Sequence, residues 1–97
     1  MLTKEQIAAA VETVASKYGI EKVWLYGSYA CGDATEESDC DLLIQGGRLR
    51  TMLDLSALFL DMKAAIGKPV DIVNMKGIQP SFHRRIETEE VLLYGAQ

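Results

Sequence analysis

Cysteine and proline are scarce in this 97-residue chain, at two of each, and histidine and tryptophan occur once. Cys31 and Cys40 have no second Cys or His pair at zinc-finger spacing, so a structural zinc site is not expected. They read as reduced thiols of a cytoplasmic protein. No apolar run approaches the roughly 18 residues of a membrane span, so no membrane role is expected. The start, Met1 to Gln6, lacks the basic-then-apolar order of a secretory signal. Basic charge is also short: 10 Lys and Arg against 14 Asp and Glu give a net charge of -4. Non-specific nucleic-acid binding needs clustered Lys and Arg that release counterions, so nucleic acid is not expected as a direct partner.

What is present is an ordinary globular balance, 48% hydrophobic and 25% charged. No repeat, linker or low-complexity tract divides the chain, which reads as a single domain over residues 1–97. A domain this small is marginal on its own, and a partner could supply part of its stability.

The pattern alternates helix and strand. Thr3 and Gln6 have the spacing of a capping box, Ile7, Val11, Val14 and Tyr18 recur at helical spacing, and Gly19 is a natural stop. A first helix is therefore expected from about Lys4 to Tyr18. Lys22–Tyr26 reads as a buried strand ending at Gly27-Ser28, followed by a short helical turn and a polar loop to Ser38. Further strands are expected at Asp39–Gln45 and Pro69–Val73, with a helix from about Thr51 to Ile66 between them. Asn74 to Gly77 reads as a turn, Pro80 opens a last helix to about Glu89, and Val91–Tyr94 is a strand or extended segment. The fold class is α/β (α+β).

The helix near residues 51–66 carries two apolar stripes at 100° steps. Leu55, Phe59, Met62 and Ile66 form one; Leu53, Ala57, Leu60 and Ala64 lie roughly opposite. One stripe should face the sheet. The other is either covered by a further helix or left open for a partner.

Chemistry concentrates in Gly27-Ser28 and, ten residues on, Asp39-Cys40-Asp41. Residues two apart on a strand share a face, so Asp39 and Asp41 should project into one space. Paired carboxylates repel unless a cation lies between them, and hard oxygen ligands suit Mg²⁺ or Mn²⁺. Glycine lets the backbone approach a phosphate closely, and the following N–H groups and the Ser28 hydroxyl add donors. Asp71 is charged between apolar neighbours and must reach solvent, an edge or a metal. If its strand lies beside the second, the site can hold two metals about 4 Å apart, and Asp71 can also take a proton.

Gly27-Ser28-Tyr29-Ala30-Cys31-Gly32, with Ser38-Asp39-Cys40-Asp41-Leu42-Leu43-Ile44, resembles the signature of the minimal nucleotidyltransferases of the DNA polymerase β superfamily. The resemblance covers nearly the whole chain. It implies a mixed sheet of three to four strands with about three helices, Mg²⁺ as cofactor, two ions in the site, and ATP as substrate. It assigns Gly27 and Ser28 to the nucleotide phosphates, and Asp39, Asp41 and Asp71 to metal binding and catalysis. Many similar chains are antitoxins that transfer AMP to a tyrosine hydroxyl of a HEPN-type ribonuclease toxin, which implies a hetero-oligomer with that toxin. Two departures stand out. Cys31 replaces a frequent Arg, which could weaken nucleotide affinity, and Cys40 replaces an aliphatic residue and should point away from the acids.

Other residues have plainer readings. Trp24 and Tyr26 read as sheet packing. His83, Arg84 and Arg85 make either a small basic patch or a solvated helix face. Lys68 could touch a triphosphate or simply be a surface lysine, and Asp33, Glu36 and Glu37 solvate the loop. Two alternatives to AMP transfer onto a toxin stay open: an antitoxin that acts by binding alone, and modification of a small molecule such as an aminoglycoside. For the last, no second domain is evident to hold such a substrate.

Overall fold

A computed structural model of the chain describes residues 2–74 and 90–95. The elements are α1 (Lys4–Tyr18), β1 (Ile20–Tyr26), α2 (Ser28–Cys31), β2 (Cys40–Gly46), α3 (Met52–Ile66), β3 (Val70–Asn74) and β4 (Val91–Tyr94). Among the described residues these are three helices and a four-stranded sheet, in keeping with the expected class. The turn beyond Asn74, the last helix expected from Pro80, and His83, Arg84 and Arg85 lie outside the described residues.

Local chemistry sets the helix ends. The Gln6 N–H donates to Thr3 Oγ1 at 3.1 Å and the Thr3 N–H to Gln6 Oε1 at 2.9 Å, completing the capping box. Gly19 then stops α1 in the left-handed conformation at φ 66°. A second capping box, Thr51 with Asp54, starts α3. Strands β2 and β3 each lie one residue later than expected, so Asp39 stands just before β2.

The sheet order is β3-β2-β1-β4. Strand β1 is antiparallel to β2 and β4, while β2 and β3 run parallel, so the sheet is mixed. On one face Val23, Leu25, Cys40, Leu42 and Ile44 form the main core with Ile7, Val11, Val14 and Ala15 of α1 and Leu58, Met62 and Ile66 of α3. Full burial of one such leucine or isoleucine is worth about 1.5–3 kcal/mol. Tyr26 and Leu43, with Trp24 and Val73 against them, make a smaller cluster on the opposite face.

The buried stripe of α3 needs correction. It runs through Leu58, Met62 and Ile66, with Phe59 left at the margin and 37% exposed. The cause is that α3 packs on α1 as well as on the sheet, which turns its buried arc toward Leu58. On that side Asp61 Oδ2 accepts from the Tyr18 hydroxyl at 2.5 Å and from Lys17 Nζ at 3.0 Å. The second stripe is open: Leu53 and Leu60 are 81% and 62% exposed, and Met52 joins them.

Candidate active site

Strand β1 ends at Tyr26, and Gly27 turns the chain into α2 with φ 74° and ψ -151°. That conformation is essentially reserved for glycine. A side chain is excluded for a second reason, because a Cβ on Gly27 would collide with the Asp41 carboxylate. The glycine turn and the acid are therefore in close approach. The turn is closed by Ala30 and Cys31 N–H groups donating to the Gly27 carbonyl at 3.1 Å, and by the Asp33 N–H donating to the Ser28 carbonyl at 2.9 Å.

Register places the acids. Asp41 is paired with Tyr26 on one side and with Asp71 on the other, so the three form a row across β1, β2 and β3. Asp71 is exposed on the edge strand, and Asp39 is exposed just ahead of β2. Burial pushes the Asp41 carboxyl above the usual carboxylate range, and the charges of Asp71 and then Asp39 add to the effect. Tyr26 is pushed up to about 12 by burial, then by Asp71 and Asp41. Cys40 lies wholly buried on the helix-packed face, as expected, with its thiol raised to about 11 by burial and then by Asp41.

All five residues singled out by the sequence gather at one end of the sheet. Gly27 and Asp41 touch, Asp71 faces Asp41 across the strand pair, and Ser28 opens α2 beside them. Among the described residues, no group of three or more His, Cys, Asp or Glu side chains forms a ready-made metal cage. The donor chemistry nonetheless fits a hard cation. Asp41 resists ionisation chiefly because of burial and then because of the charges of Asp71 and Asp39, and Mg²⁺ ordinarily completes its shell with waters and substrate phosphates. A groove of about 490 Å³ lined by Leu55, Ser56, Phe59, Leu60 and Ile72 also reaches Asp71.

Two residues beside the site make contacts that the sequence did not announce. Tyr26 packs as expected but also borders the acid row, a position that its adjacency to Gly27 could have signalled. Lys68 donates to the Tyr29 hydroxyl, a contact across the chain that no local pattern announces.

Residues 9–97 match the family described as Polymerase beta, Nucleotidyltransferase. The chain is 39% identical over 100 residues to MJ0604 of Methanocaldococcus jannaschii, provisionally named a protein adenylyltransferase, covering 97% of this chain and 100% of that protein. Its fold is similar to a toxin–antitoxin crystal structure with AMP-PNP, at a TM-score of 0.80 and 18% identity over 93% of this chain and 74% of the other. It is also similar to a chain in the structure of a tri-AMPylated Shewanella oneidensis HEPN toxin in complex with an MNT antitoxin, at a TM-score of 0.74 and 15% identity over 98% of this chain and 75% of the other. At those identities the two structures speak for the fold alone. Together with the acid row beside the glycine turn, the match over residues 9–97 means that the chain belongs to the polymerase β nucleotidyltransferase family.

Proposed function

We propose that this chain is a Mg²⁺-dependent protein adenylyltransferase that moves AMP from ATP to a tyrosine hydroxyl of a HEPN-type ribonuclease toxin, and so acts as its antitoxin. The observation that carries the reading is the pairing of Asp41 with Asp71, beside a glycine that packs on Asp41. The name of MJ0604 supports a protein acceptor, the AMP-PNP neighbour supports ATP, and the AMPylated HEPN toxin of the other neighbour supports the group and the partner.

In this reading the Gly27-Ser28 turn receives the triphosphate through backbone N–H groups and the Ser28 hydroxyl. Asp39, Asp41 and Asp71 would hold Mg²⁺. Bound there, Mg²⁺ supplies charge neutralisation for the triphosphate and acidifies the attacking hydroxyl. The tyrosine oxygen bonds to the α-phosphorus, the bond to the bridging oxygen breaks, and pyrophosphate leaves. Asp71, exposed on the edge strand, takes the hydroxyl proton. Cys31, exposed at the end of α2, brings no positive charge to the turn, so nucleotide affinity rests on backbone donors and the cation.

The test is incubation of the chain with α-labelled ATP, Mg²⁺ and its cognate HEPN-type toxin. Label should appear on the toxin. If the toxin stays unlabelled while an active family member labels its own partner under the same conditions, the proposal is wrong.

One observation favours a second reading, neutralisation by binding alone: the open apolar stripe of α3 offers area to a protein partner. Protection of cells by Asp41→Ala would favour it, and loss of protection would favour catalysis.

A further inference from the structure

We infer that Lys68 and Tyr29 form a clamp that fixes the phosphate-holding turn against the acid-bearing strands, which makes Lys68 a positioning residue for nucleotide binding rather than a ligand of the nucleotide. The inference rests on the nucleotidyltransferase reading above.

Lys68 lies between Gly67, which ends α3, and the start of β3. Its ammonium donates to the Tyr29 hydroxyl and so lies at the polar tip of the side chain, 4.7 Å from the centre of the ring. It also reaches the Glu36 carbonyl at 3.4 Å. Tyr29 is 5% exposed and directly follows Ser28 in α2. Glu36 belongs to the turn that leads to Asp39, closed by the Ser38 N–H donating to the Thr35 carbonyl at 3.1 Å. Next to Lys68, the Pro69 carbonyl accepts from the Cys40 N–H at 3.1 Å and so ties the start of β2 to the start of β3.

One side chain thus joins three segments: the turn that carries Ser28, the loop that delivers Asp39, and the strand that carries Asp71. A helix of four residues cannot hold its own position, because so short a piece has almost no cooperative stability. Its placement depends on what it is packed and bonded to. Among the described residues the Lys68 ammonium has no carboxylate partner, so its strongest commitment is to Tyr29. Engaged in that way, it stabilises the turn in the position where Gly27 meets Asp41.

Equilibrium binding of AMP-PNP with Mg²⁺ to the full chain tests this, measured well below the melting temperature of each variant. Tyr29→Phe keeps the ring and removes the acceptor, whereas Lys68→Met keeps the length and removes the charge. Each should weaken binding about 5- to 10-fold, the scale of one intramolecular hydrogen bond lost. The double variant should be no weaker than the weaker single, because both break one contact. Lys68→Arg, which can still donate to the hydroxyl, should recover most of the affinity. If Lys68→Met weakens binding while Tyr29→Phe binds as the native chain does, Lys68 contacts the nucleotide itself and the clamp is refuted. Native affinity in both singles refutes it equally. A native chain that binds no AMP-PNP overturns the nucleotidyltransferase reading and this inference with it.

Discussion

The two faces of the sheet are made from alternate residues of the same strands, yet they are finished in opposite ways. On one, Val23, Leu25, Leu42 and Ile44 are completely buried with α1 and α3. On the other, the small cluster of Tyr26 and Leu43 gives way to Asp41 and Asp71. The first face is stabilised by apolar burial; the second keeps like charges together, at a cost to the fold. Stability and chemistry are therefore separated by the period-two alternation of a strand. A register slip of one residue in β2 would exchange Leu42 for Asp41 and ruin both.

That contrast can be broken from either side. Asp41→Ala should lower transfer at least about 1,000-fold, the scale expected when a main electrostatic group is lost. Melting should not fall, because the substitution removes a carboxylate held near Asp71 and Asp39. Urea unfolding alongside the transfer assay checks both halves. On the opposite face, Leu42→Ala should cost about 2–5 kcal/mol in urea unfolding while sparing the turnover of the molecules that remain folded. Gly27→Ala acts on both properties. A left-handed alanine that also meets the Asp41 carboxylate should cost about 1–3 kcal/mol, and AMP-PNP binding should weaken with it.

Smaller effects separate the charges by pH. The carboxyl of Asp41 is raised in the fold, so its ionised form opposes folding. Without Mg²⁺, its contribution therefore improves as pH falls through that raised range, and Asp41→Asn should remove this part. Asp61 has the opposite sign. Hydrogen bonds from Tyr18 and then Lys17 lower it, so its stabilisation is present above the usual carboxylate range and is lost as pH falls through the lowered value. Tyr18, raised to about 12 chiefly by the hydrogen bond to Asp61, contributes below its ordinary titration near 10 and loses that contribution as pH rises through 12. Melting curves of the native chain, Asp41→Asn and Asp61→Asn between acid and neutral pH should diverge in these directions.

Much of this was legible locally. The Thr3–Gln6 box, Gly19 and the place of Asp41 after Gly27-Ser28 depend on nearby residues, and each lies where the sequence implied, whereas Asp39 falls one residue outside the strand expected to begin with it. What was not legible depends on packing between distant segments. Whether Asp71 joins Asp41 turns on the order β3-β2-β1-β4, which no local pattern encodes. Leu58 replaced Phe59 in the buried arc because α1 also packs on α3. Tyr29 and Lys68 meet across 39 positions of chain, so neither residue signals the other.

The central claim is that the acid row transfers AMP to a partner protein. Mass spectrometry of the HEPN toxin, co-expressed with the native chain and separately with Asp41→Ala, addresses it most directly. AMP should appear on a toxin tyrosine with the native chain and not with the variant. An unmodified toxin that the native chain nonetheless neutralises would contradict it.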